Sequence, residues 1–226
     1  MASLLTVKPV NVQFTCRGFF VPPKYDFYKV EISTALATRL AESYALKSTE
    51  IIVNQNAAAS QYLSFRYTLN GEPFRYVSAS MGIDQAEINF FNPATVSELM
   101  TEVEKAWKVI FEMLKPTVKS SYFEAALHCE TEKPGAREFL NETVCVTVDS
   151  PDLRKGFSIG TRPADAINKL TLEVSDSVEN GLYVGFASIN NTSVSDLAGF
   201  STVLKATLVT YRNLQKLASV QILEPT

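Results

Sequence analysis

Apolar residues recur in two different periods along the chain, and the switch between the periods marks out its elements. Ala86, Ile88 and Phe90 alternate with polar neighbours as a half-buried strand does, and so do Val184 and Phe186. Leu99, Val103, Ala106, Trp107, Ile110 and Leu114 instead recur at helical spacing, as do Leu197, Phe200, Leu204, Leu208 and Tyr211. Extended to the whole chain, the pattern predicts a strand over 12–20, an amphipathic helix over 25–46, and strands over 50–54, 62–69, 74–81 and 85–91. Beyond the first long helix it predicts a strand over 122–130, a short helix over 136–143, and strands over 144–148, 156–161, 169–174 and 182–189. Asn70-Gly71 and Asn180-Gly181 supply the positive φ that tight hairpins need, and Pro134-Gly135 reads as a turn.

The two halves share a local signature. Asn92-Pro93-Ala94-Thr95-Val96-Ser97-Glu98-Leu99 overlays Asn190-Asn191-Thr192-Ser193-Val194-Ser195-Asp196-Leu197 without a gap, each copy lying between a strand pattern and a long helix pattern. Capping chemistry accounts for it: Thr95 or Ser97, and Ser193 or Ser195, can accept a bond from a first-turn amide, while Glu98 and Asp196 suit the positive helix end. The motif therefore reads as a strand-to-helix junction and not as a binding signature.

Each half then has the order β-α-β-β-β-β-α, with the junction in Lys115-Pro116-Thr117-Val118-Lys119-Ser120. The expected fold is α+β, a tandem duplication of a β-α-β4-α unit over 1–117 and 118–226, with curved antiparallel sheet and helices on one face. This element order resembles the topology of the TATA-binding-protein-like and helix-grip folds. Such folds serve nucleic-acid binding, ligand binding and catalysis alike, so the resemblance implies no function. Alternation puts Leu63, Phe65, Tyr67 and Leu69 toward the helices and Ser64, Arg66 and Thr68 outward. Likewise Leu170, Leu172 and Val174 turn inward and Lys169, Thr171 and Glu173 outward. The open face is expected to be mixed in charge and short of the apolar wedges that minor-groove binding uses.

Composition narrows the function classes. With 46% hydrophobic residues and 21 basic against 24 acidic side chains, a net charge of -3, the chain can fill a core but offers no broad basic surface for nucleic acid. No run approaches the roughly 20 apolar residues of a membrane span, and the opening residues lack a signal-peptide core, so a cytoplasmic protein is expected. Cys16, Cys129 and Cys145 are widely spaced and odd in number, which suits reduced thiols.

Candidate chemistry is sparse. Gly156-Phe157-Ser158-Ile159-Gly160 fits the nucleophile-elbow expression, yet the chain's one histidine, His128, precedes it and Thr161-Arg162-Pro163 follows where a helix should start. On a strand, His128 shares a face with Tyr122, Glu124, Ala126 and Glu130. His128, Glu124 and Glu130 are thus the acid–base candidates, against the simpler reading of a solvated face with cross-strand charge toward Arg17. No C-x-x-C or H-x-x-x-H pair and no phosphate-loop run is present, so no metal or cofactor is expected. Asn141-Glu142-Thr143 and Asn190-Asn191-Thr192 fit the glycosylation pattern by chance alone. Glu104 and Lys108 are spaced to pair on a solvated helix face, and Trp107 lies on the apolar stripe. The reading is a non-enzymatic binding or assembly module whose duplicated sheet meets a protein partner or a second copy in a homodimer. The alternative is a small-molecule binder or enzyme with a pocket between sheet and long helix, lined from the fourteen Phe and nine Tyr.

Overall fold

The computed structural model describes residues 4–46, 51–53, 63–69, 72, 74–132, 135–143 and 156–223. The first half runs β1 (Leu5–Phe20), a 3-10 turn (Tyr25–Tyr28), α1 (Val30–Tyr44), β2 (Ile51–Val53), β3 (Leu63–Thr68), β4 (Tyr76–Met81), β5 (Gln85–Phe91) and α2 (Val96–Leu114). The second runs β6 (Val118–Thr131), α3 (Ala136–Thr143), β7 (Gly156–Thr161), β8 (Ala166–Val174), β9 (Leu182–Asn190), α4 (Leu197–Leu217) and β10 (Val220–Ile222). The strands form one sheet in the order β2-β3-β4-β5-β1-β6-β9-β8-β7. Neighbours on that path are antiparallel, and β10 adds in parallel to the start of β1. The chain is α+β, and its sheet is continuous through the β1–β6 pair.

Strand alternation sorts the sheet into two faces as the sequence predicts. Phe123, Ala125, Leu127 and Cys129 of β6 are buried under the helices, while Tyr122, Glu124, Ala126 and His128 lie half-exposed on the other face. β1 does the same with Phe14, Cys16 and Phe20 inward and Gln13 and Arg17 outward. Leu63 and Phe65 are buried, Tyr67 is half-buried against the core, and Leu170 and Leu172 are buried. The stripe of α2 from Leu99 to Leu114 is buried throughout.

The helices meet over the central strands. Trp107 of α2 stacks on Phe200 of α4 with ring centroids 4.2 Å apart, and Phe111 and Phe123 close around them. Gly18 of β1 makes this possible: a Cβ built there would stand 2.5 Å from Trp107 Cη2. The absent side chain is therefore a packing requirement, since the indole lies where any larger residue would go. Burying an indole at such a junction contributes about 2–3 kcal/mol and fixes how α2 sits on the sheet.

The elements depart from the sequence reading where local geometry intervenes. β1 starts well before residue 12, because its first residues are held between β6 and β10; β10, three residues long, has no periodic signal of its own. The helix over 25–46 is interrupted at Lys29, whose extended backbone separates the 3-10 turn from α1. Val118, Lys119 and Ser120, read as linker, are already in β6. Phe74 lies in a turn outside β4 and is 79% exposed. Thr95 caps α2 by accepting from Glu98 N at 3.0 Å, but α4 starts at Leu197 with Asp196 itself as cap, accepting from Gly199 N at 2.7 Å. The start is late because Val194 is held in a bridge to Val118. On α2, Lys108 approaches Glu112 at 4.0 Å and Lys105 pairs with Glu102; Glu104 is not Lys108's partner. Asn180 adopts φ 55° in the β8–β9 hairpin, as expected of its Asn-Gly pair. The strand over 144–148, the Asn70-Gly71 turn, Pro134 and Cys145 lie outside the described residues.

Gly18→Ala tests the packing at the centre. The added methyl group overpacks against Trp107 and is expected to lower stability by about 1–3 kcal/mol, read as a reduced denaturation midpoint at unchanged slope.

Candidate functional site

The site arises from a change of partner along β1. β5 pairs with Gln13 to Phe19 and β10 with Leu5 to Val7, so the stretch between has β6 on one side and, among the described residues, a gap in the ladder on the other. A bulge between Pro9 and Asn11 falls in that stretch, where proline has no N–H to offer. At the gap's edge Asn92, at φ 49°, accepts the Val12 amide on its Oδ1 at 2.7 Å and gives its own N–H to Val12 O at 2.8 Å. The chain then turns through Pro93 into α2.

Arg75 fixes that turn. Its guanidinium meets both Glu98 carboxylate oxygens at 2.8 Å, Glu72 at 2.9 Å and the Asn92 carbonyl at 3.1 Å, while Glu98 also accepts from Ala94 N at 2.6 Å. The first turn of α2 is thereby pinned beside the gap.

A cavity of about 160 Å³ lies behind it. Phe14, Ala125, Leu127 and Phe186 of the sheet form the floor, and Leu99 of α2 with Leu208 and Tyr211 of α4 form the roof. Pro9, Pro93, Ile222 and Leu223 close the end, where β10 rejoins β1. α2 and α4 run antiparallel, so the cavity sits at the opposite end of their contact from the Trp107–Phe200 stack. A largely apolar pocket of this size is sufficient for a molecule about as large as benzene.

Few polar groups reach it. Thr207 gives its hydroxyl to Val203 O at 3.0 Å, and Thr95 is engaged as the α2 cap. Tyr211 packs its ring on Phe186 at 5.1 Å, but its hydroxyl is buried without a hydrogen-bond partner. Burial pushes that phenol well above its usual range, the nearby Cys129 adding to the effect and Gln215 opposing it. Arg212 lines the cavity from the exposed side of α4. Sequence reasoning placed Tyr211 on the apolar stripe and missed Arg212, since the gap that exposes both depends on β10 and the bulge.

The sequence-predicted residues lie on the opposite face of the sheet. His128 Nδ1 is 2.9 Å from Ser175 Oγ, which also accepts from the amides of Ser177 at 3.2 Å and Val178 at 3.0 Å. Ser175 thus ties the His128 ring to the backbone of the β8–β9 hairpin. Glu124 accepts from the Tyr122 hydroxyl at 3.0 Å, and Glu130 is exposed; among the described residues no hydrogen bond joins His128 to either carboxylate. Arg17 pairs with Glu87, its Nε 2.6 Å from Oε2, and lies over the Tyr122 ring; it is not the charge facing His128. Ser158 sits on β7 with its hydroxyl 3.0 Å from that of Thr171, an ordinary cross-strand contact and not an elbow. Cys16 and Cys129 are buried free thiols, both raised by desolvation, Cys129 to about 12. The open face holds more aromatic surface than the outer strands foretold: Tyr76 stacks on Phe91 at 4.3 Å, and Arg66 caps Tyr76 at 3.6 Å. Among the described residues no group of His, Cys, Asp and Glu is arranged to hold a metal.

Compared with known proteins, the chain matches no family model, no curated protein and no solved structure.

Two measurements follow from these environments. Tyr211→Phe removes a buried hydroxyl that has no partner and is expected to raise the stability of the ligand-free protein by about 1 kcal/mol in denaturant melts. Burial first, and then the bond to Glu124, push Tyr122 up to about 12. An unfolded tyrosine titrates near ~10, so this contribution is complete below that pH and is lost as pH rises through about 12. Tyr122→Phe is expected to flatten part of the alkaline decline in unfolding free energy.

Proposed function

We propose that the chain is a non-enzymatic binding module that holds a small, largely apolar molecule in the cavity between the sheet and its two long helices. The cavity itself carries this reading: both halves of the chain border it, and most of its lining is apolar. The open face supports it by contrast. Its histidine is engaged with Ser175 and Glu124 with Tyr122, and among the described residues no hydrogen bond joins that histidine to a carboxylate.

On this reading the halves, 1–117 and 118–226, are diverged copies of a β-α-β4-α unit. The ungapped overlay at Asn92 and Asn190 supports this, as does a strand order that mirrors itself about the β1–β6 pair. The resemblance to helix-grip topology agrees with a ligand held between sheet and helix, although the cavity lies at the junction of α2 and α4 and not under α1.

A second reading, association with a protein or a second copy through the open face, is favoured by one row of residues. Tyr122, Ile189 and Ile167 stand opposite one another across β6, β9 and β8, with Ile189 and Ile167 44% and 43% exposed. Aromatic and aliphatic side chains in such a row suit the centre of a contact surface.

Native mass spectrometry separates the two. Retention of a small added mass, or its uptake from a panel of benzene- to indole-sized compounds, is expected for the wild type. Ala125→Leu, which fills the cavity floor, is expected to abolish it while preserving the fold. A chain that binds none of the panel contradicts the first reading. A dimer that Ile189→Lys dissociates supports the second.

A further inference from the structure

Three polar side chains of α4 line the cavity, Tyr211, Arg212 and Gln215, and the Tyr211 hydroxyl is buried with no hydrogen bond formed among the described residues. Arg212 is the arginine that lines the cavity. Like Arg66, Arg137 and Arg162 it makes no ion pair among the described residues, and among those residues no acidic side chain lines the cavity. The groove outside the mouth adds Lys205 against a single Glu104. An apolar chamber whose wall carries one uncommitted guanidinium and one orphaned phenol is complementary to a molecule with an apolar body and one anionic end.

Resting on the cavity reading above, we infer that the ligand is a small apolar monocarboxylate. Its hydrocarbon part lies against Phe14, Leu99 and Phe186, Arg212 pairs with its carboxylate, and the Tyr211 hydroxyl donates to one carboxylate oxygen. A guanidinium meets a carboxylate through two parallel N–H bonds, which fixes the head group while the apolar body takes the space between sheet and helices. The hydroxyl that is unsatisfied in the empty cavity gains its partner only when the ligand is present. Aromatic and short aliphatic acids share this chemistry.

Calorimetric titration of the full chain with phenylacetate against phenylacetamide, and hexanoate against hexanamide, distinguishes charge from shape. Each acid is expected to bind about tenfold more tightly than its amide, a difference worth about 1.4 kcal/mol. Arg212→Gln, on an exposed position, is expected to erase that preference and leave amide binding intact. Tyr211→Phe is expected to weaken the acids while leaving the fold as stable or more so. Whichever acid binds more tightly names the source. Equal binding of acid and amide, or an acid preference that survives Arg212→Gln, overturns this inference and leaves the cavity reading standing. No binding by any of the four compounds overturns both.

Discussion

The pairing of β1 with β6 is the constraint on which the other features rest. Both strands are long, 16 and 14 residues, and they pair from Val7 with Thr131 to Phe20 with Val118. A one-residue slip would turn either Phe14 and Cys16 or Phe123 and Leu127 to the open face, so the two hydrophobic patterns together specify the register. The pair joins two sets of strands into one sheet, and α2 and α4 can then meet above it. Gly18 on one strand and Phe123 on the other receive Trp107 and Phe200, which sets the helix–helix contact.

The cavity is a consequence of the same strand. β1 is longer than the run that β5 accompanies, and β10 covers only its first residues. What lies between is bordered by a bulge, two prolines and a positive-φ asparagine, none of which can continue a ladder. Helices pinned elsewhere cannot sink to fill the space beneath them: Trp107 anchors the far end of the contact, and the Arg75–Glu98 pair anchors the near end of α2. A void therefore persists in an otherwise close-packed interior, and void space in a protein core is retained at the expense of stability.

Much of this was legible in the sequence. The inward sets on the central strands and the apolar stripe of α2 followed from period alone, because each face is either buried or not. Trp107 was correctly placed in the core. What sequence could not reveal depended on contacts distant in the chain. β10 is too short to carry a period and is defined by its pairing with β1. The extended conformation at Lys29 interrupts a continuous helical pattern, and the Val118–Val194 bridge delays α4 although its motif overlays that of α2. His128 drew attention as the chain's one histidine, yet the serine that engages it comes from the β8–β9 hairpin. Tyr211 and Arg212 become binding candidates only through the place where α4 meets the junction of β1 and β10, which no local pattern announces.

The account turns on whether the space between α2, α4 and the central strands is empty and accessible in the folded protein. A crystal structure of the ligand-free chain under xenon pressure tests this most directly, since xenon enters dry apolar cavities of this size without needing charge or hydrogen bonds. The account predicts a xenon atom between Leu99, Leu127 and Phe186. A chamber collapsed onto Tyr211, with no xenon bound there, would contradict it.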